Sequence, residues 1–173
     1  MSMFEHLAKY RKIVVTGPQR SGTTICARMI AVDTGHEYVD EDRFGVSQEG
    51  PFWELVNSPI LQVIQAPGMA HICHKLTDED VYVIFMERAP EDIIASQKRI
   101  EWTGEERERG KYGVPDWDET PICKVKYHVW RCRQIDSLQG RCHTQDYDRL
   151  SHHWMWIDPE HRTNFGPRQW RTG

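Results

Sequence analysis

Long hydrophobic runs are missing from this chain of 173 residues. The longest purely apolar stretch, Val81 to Met86, has six residues, against roughly 20 for a membrane-spanning helix. No membrane partner is therefore expected. The opening stretch, MSMFEHLAKYRK, lacks the apolar core of a secretion signal, so a cytoplasmic location is expected. Cysteine is sparse, with five residues scattered at 26, 73, 123, 132 and 142. An odd, scattered set argues for reduced thiols rather than a disulfide framework. Cys123, Cys132, Cys142 and His143 also lack the short pair spacings of a zinc site. Excess positive charge is absent too. The net charge is −4, which gives no reason to expect a nucleic-acid partner. What remains is 28% charged and 39% apolar residues. That composition predicts one soluble domain over residues 1–173, large enough to bury a core without disulfides or metals.

Strand and helix patterns alternate through most of the chain. Residues 12–16 are short, β-branched and ended by Gly-Pro, as in a buried strand. From Gly22 the pattern turns helical, with Ile25, Met29 and Val32 on one stripe and Cys26 and Ile30 beside it. Gly35 is a natural stop. Residues 36–40 predict a second strand, 51–57 a short helix opened by proline, 60–65 a third strand and 69–75 another short helix. Residues 81–86 are apolar on both faces, as a central parallel strand requires. Pro90, Glu91 and Asp92 suit the first turn of the helix that follows. Residues 103–119, rich in Gly, Glu and Arg, predict a mobile exposed loop. A long helix over 121–138 carries Ile122, Val125, Val129 and Cys132 on one stripe. A strand near 142–147 and a Trp-rich helix or strand around 154–157 complete the order. The expected fold is a three-layer α/β sandwich with a mainly parallel central sheet. Its ligand belongs at the carboxyl ends of the strands.

One absence is more telling than the others. Residues 16–26 read TGPQRSGTTIC, between a predicted strand and a predicted helix. Such a unit makes an anion cradle, because unpaired N–H groups converge at the helix start and the helix dipole adds partial positive charge. Gly22 allows close backbone approach, Ser21, Thr23 and Thr24 offer hydroxyls, and Arg20 offers a planar fork of donors. A nucleoside triphosphate loop carries lysine after its second glycine. Here Thr23 stands in that place.

Pro18-Gln19-Arg20-Ser21-Gly22-Thr23-Thr24 resembles the 5′-phosphosulfate loop of the sulfotransferase family, in the Arg-Ser-Gly-Thr-Thr branch that includes tyrosylprotein and carbohydrate sulfotransferases. Gln19 is an insertion relative to many members. The segment Val81 to Ser96 is similar to the family's 3′-phosphate segment. There a strand ends in an arginine, here Arg88, and a serine follows eight residues on, here Ser96. Residues 145–150 faintly resemble a late family segment. The likeness covers about residues 12–100, and the Gly-x-x-Gly-x-x-Lys segment of cytosolic members is missing. The resemblance implies a P-loop fold and transfer of a sulfuryl group from 3′-phosphoadenosine 5′-phosphosulfate to an acceptor hydroxyl or amine, with no metal. It implies that Arg20, Ser21, Gly22, Thr23, Thr24, Arg88 and Ser96 bind the nucleotide and that Arg20 also stabilises the leaving group.

Such a transfer needs a base for the acceptor's proton. In the same branch a glutamate after the second strand acts so, and Glu41 is the matching residue, with Asp40 and Asp42 as competitors. Cytosolic relatives place a histidine after the third strand, where His71 and His74 stand. Two other classes stay open. One is a P-loop nucleotide or small-molecule kinase that has lost its lysine, with Thr24 holding magnesium and ATP bound. The other is a nucleotide-binding relative without activity. The acceptor is not legible in the sequence.

Overall fold

Strands β1 (Lys12–Thr16), β2 (Glu37–Val39), β3 (Gln62–Gln65), β4 (Val81–Glu87) and β5 (Cys142–Asp146) pair in the order β2-β3-β1-β4-β5. Every pairing is parallel. The structure, a computed structural model, describes residues 2–45, 48–99 and 120–157. The loop predicted at 103–119 lies outside the described residues. Helices α1 (Thr23–Thr34), α2 (Glu49–Asn57), α3 (Pro90–Arg99) and α4 (Thr120–Leu138) link the strands.

The strands are apolar on both faces because both faces are covered. Alternation along β1 sends Ile13 and Val15 to the α1 side, with Met29 and Ile30. Val14 goes to the other side, with Phe52, Ile64, Val83 and Leu138. A smaller cluster of Phe85, Ile93, Tyr127 and Ala70 seats α3 and α4 near the end of β4. Each fully buried isoleucine contributes roughly 1.5–3 kcal/mol. Strand β1 leads through α1 to β2 on one side, whereas β4 leads through α3 and α4 to β5 on the other. The crevice between the carboxyl ends of β1 and β4 is therefore the switch point where such sheets bind ligands.

Several expected elements differ. Residues 69–75 form no α-helix. They lie across two single 3-10 turns, Pro67–Met69 and Cys73–Lys75. Residues 154–156 are neither helix nor strand; the chain turns there after a 3-10 helix at Asp148–His152. On α1, Val32 is 52% exposed, while Ile25, Cys26, Met29 and Ile30 are buried. The neighbouring Asp33 turns inward instead. Its carboxylate accepts from the Phe4 N–H at 2.9 Å and from His153 Nε2 at 3.1 Å. The stripe predicted on α4 is also displaced. Val125 and Val129 are 64% and 40% exposed, and the helix buries Tyr127, Gln134 and Leu138. Gln134 reaches the Ala70 carbonyl at 3.0 Å, so a polar residue anchors α4 where the pattern placed a valine face.

Candidate functional site

The loop between β1 and α1 lies at the switch point, and its two glycines have different neighbours. A side chain at Gly17 (φ +129°) would come within 2.7 Å of the Met86 carbonyl oxygen on β4. One at Gly22 (φ +97°) would come within 2.4 Å of the Tyr147 ring. The space that the sequence suggested for an approaching anion at Gly22 is thus occupied by a tyrosine from the segment after β5. Gly22 is the N-cap of α1 and offers no side-chain cap to the first N–H groups of the helix. Arg20 sits at φ +72°, a left-handed conformation uncommon for a side-chain-bearing residue.

The structure brings Arg20, Arg88 and Ser96 together. Arg20 Nε donates to Ser96 Oγ at 3.1 Å, and Arg88 Nη1 donates to the Arg20 carbonyl at 3.1 Å. The Arg88 guanidinium also lies 4.1 Å from the centre of the Tyr147 ring, a cation–π contact. Ser21 is fully buried and gives its hydroxyl proton to the Pro18 carbonyl at 2.6 Å. It therefore braces the loop from within. Thr23 is buried, and Thr24 is half-buried at the helix start. Among the described residues no lysine replaces the missing one from β1. Lys12 lies at the opposite end of that strand, about 13 Å from Thr16 at ~3.3 Å per residue. Its Nζ donates to Ser58 Oγ, the Ile60 carbonyl and Gln62 Oε1, and burial pushes its pKa down to about 8.

Glu41 opens a 3-10 turn directly after β2. The three acidic residues there have separate surroundings. Asp40 accepts from the Tyr38 hydroxyl at 2.6 Å and from the Asp42 N–H at 3.3 Å, so both its oxygens are engaged. Asp42 is exposed. Glu41 is half-buried, and its carboxyl is pushed up to about 7, chiefly by burial and further by the charges of Asp40 and Asp42. Hydrogen bonds from the Gly68 N–H and from Gln65 oppose that rise.

Gln65, at the carboxyl end of β3, is a site residue that the sequence argument missed. Its Oε1 accepts from the Glu41 backbone N–H at 3.1 Å, and its Nε2 donates to Thr23 Oγ1 at 3.2 Å. One buried amide thus joins the acidic turn to the first residue of α1. The available signal was a glutamine ending an otherwise apolar strand, just before Ala-Pro-Gly. The histidine competitors lie elsewhere. His71 Nε2 is 3.6 Å from a Glu49 carboxylate oxygen, and its ring packs near Trp130. Burial lowers the pKa of His74. Among the described residues neither histidine hydrogen-bonds the loop.

The raised pKa of Glu41 has a stability consequence. Below its unfolded value, near 4.3, the group is protonated in both states. Between that value and about 7 the unfolded chain sheds the proton and the folded chain keeps it. Stability is lost over that window as pH rises, and the loss is constant above it. Glu41→Gln removes the titration. Its Tm relative to the wild type is therefore expected to climb between about pH 4.5 and 7 and then level off. A thermal-unfolding series giving the same Tm difference at about pH 4 and pH 8 would contradict this assignment.

The parallel five-strand sheet, the helices flanking it and the strand–loop–helix cradle define a P-loop-type α/β nucleotide-binding fold. No family model matches the chain, and no curated protein does. Among solved structures it is similar to the YorR protein of Bacillus subtilis in complex with phosphorylated GDP, at 12% identity and TM-score 0.46, over 80% of this chain and 86% of that one. It is also similar to shikimate kinase from Acinetobacter baumannii in complex with shikimate, at 14% identity and TM-score 0.48, over 81% and 84%. These findings correct the sulfotransferase expectation and its 3′-phosphoadenosine 5′-phosphosulfate donor. The similar solved structures are a shikimate kinase and a protein in complex with phosphorylated GDP. The 3′-phosphate role of Arg88 and Ser96 goes with that donor. No described helix is long and apolar enough to cross a membrane.

Proposed function

We propose that this chain is a P-loop phosphotransferase, which moves the γ-phosphoryl group of ATP to a hydroxyl of a small-molecule acceptor. The observation that carries the reading is the Glu41–Gln65–Thr23 connection, which fixes a carboxyl with a pKa of about 7 beside the start of α1. A general base poised near the working pH is the most effective one. In the step, the acceptor oxygen bonds to the γ-phosphorus, the bond from that phosphorus to ADP breaks, and the acceptor's proton goes to the Glu41 carboxylate. The α1 N-terminus and the Arg20 guanidinium hold the phosphate charge. Arg20, braced by Ser96 and Arg88, supplies the cation that lysine supplies in other loops.

Magnesium fits this donor set through Thr24 and the nucleotide's own oxygens. Such ions keep several waters and take few protein ligands. Among the described residues no group of three His, Cys, Asp or Glu side chains offers a dedicated cage. When bound, the ion supplies neutralisation of charge on the phosphates.

The test is ligand stabilisation. A ligand that binds only the folded state adds about 2.7 kcal/mol at a hundredfold excess over its Kd. ATP with magnesium is expected to raise Tm more than 3′,5′-bisphosphoadenosine at equal concentration. The reverse order, or no shift with ATP-magnesium at millimolar concentration, overturns the reading.

A further inference from the structure

A cavity of about 320 Å³ opens at the end of β4, beside the loop. Pro18 of the loop forms one wall, Phe85 and Tyr127 contribute ring surface, and Arg88, His128 and Arg131 contribute polar edges. The volume is at the small end of ligand-pocket sizes, about 300–1,000 Å³. Phe85 and Tyr127 meet edge to face with centroids 5.9 Å apart, and Trp130 extends the aromatic wall behind Tyr127 at 5.1 Å.

Two guanidinium side chains, Arg88 and Arg131, line this cavity. The Nε atom of each is buried and has no hydrogen-bond partner among the described residues. Among the described residues Arg131 Nη1 donates to Glu87 at 2.8 Å. Two cationic forks on the wall of one cavity favour a ligand that carries negative charge. Apolar rings with a few convergent polar groups are the ordinary chemistry of a small-molecule site. We infer that this cavity binds a planar ring compound carrying one anionic group, a carboxylate or a phosphate. On the phosphotransferase reading, on which only this role rests, that compound is the acceptor. The cavity and the acid are linked by one short turn. The Gly68 N–H hydrogen-bonds the Glu41 carboxyl, and Ala70 packs with Phe85 and Tyr127.

The experiment titrates the whole chain with phenyl phosphate, benzoate and benzyl alcohol, following Kd by calorimetry. The two anions are expected to bind about tenfold or more tightly than the neutral alcohol, the loss of a charge-assisted hydrogen bond being of that order. Comparison of phenyl phosphate with benzoate identifies which anion the site takes. Arg131→Gln, on a partly exposed helix position, is expected to remove most of the anion's advantage and leave benzyl alcohol unchanged. Glu87→Gln frees Arg131 from its ion pair and is expected to tighten anion binding, an effect that mere loss of packing does not produce. Equal binding of all three probes, or anion binding indifferent to both substitutions in folded variants, overturns the inference. ATP-magnesium is titrated alongside. If it fails to bind while the ring anions bind as expected, the phosphotransferase reading falls and the cavity assignment stands.

Discussion

Glu41→Gln is expected to lower turnover by ~10²–10⁴-fold, the usual contribution of a general base, while ATP-magnesium still binds. The amide keeps the size of the side chain and its hydrogen bonds, but has no basic oxygen to take the acceptor's proton. With a carboxyl at about 7, the wild-type rate is expected to fall on the acid side of that pH and to be flat above it. Asp42→Asn removes one of the two neighbouring charges that raise Glu41. Its expected effect is a downward move of the acid limb with little change in the plateau. Steady-state rates against pH for the three proteins, once an acceptor is in hand, check both statements. Full turnover in Glu41→Gln, with loss of turnover in His71→Ala or His74→Ala, would place the base in the turns after β3 instead.

The second large effect concerns stability. Asp33→Ala is expected to cost about 2–5 kcal/mol, because it strands two buried donors at ~1–3 kcal/mol each. The side chains of Asp33 and His153 are both 2% exposed. The Met155 N–H donates to His153 Nδ1 at 3.2 Å, which leaves Nε2 to carry the proton given to Asp33. The other carboxylate oxygen holds the Phe4 N–H. One carboxylate on α1 thereby ties the amino-terminal segment and the chain after β5 to the same core face, which also contains Tyr147 and Met155. Since Tyr147 packs on Gly22, the loop is expected to lose order along with the lock, and ATP-magnesium stabilisation of the variant is expected to weaken. Urea denaturation measures the first effect. A loss below about 1 kcal/mol would show that Asp33 is no anchor.

The main frame was legible because it depends on local pattern. Strands β1 and β4 are apolar on both faces, and only a central parallel strand buries both. The loop was legible because two glycines between a strand and a helix have few other uses. Gly35 stopped α1 as expected: at φ +73° its N–H returns to the Ala31 carbonyl at 2.9 Å. The three acidic residues after β2 were visible, and so was the position of Glu41 at a strand end. The donor was not. Arg-Ser-Gly-Thr-Thr specifies a cradle with a cation beside it, and a cradle accepts any anion of suitable size. The sulfotransferase assignment asked a local motif to name a distant ligand.

Sequence alone determined the parallel sheet, the glycine-bearing loop at its switch point and a chain with no long apolar run, since each follows from residues near one another in the sequence. Tertiary structure decided which of three adjacent acids has its pKa raised, that Gln65 joins it to Thr23, that Asp33 rather than Val32 turns inward, and that Tyr147 fills the space over Gly22. Those outcomes rest on contacts between residues 24 to 125 positions apart: Gln65 to Glu41, Gln65 to Thr23, His153 to Asp33 and Tyr147 to Gly22. Burial and hydrogen-bond partners at such separations are set by packing of whole elements, and no short stretch of residues encodes them.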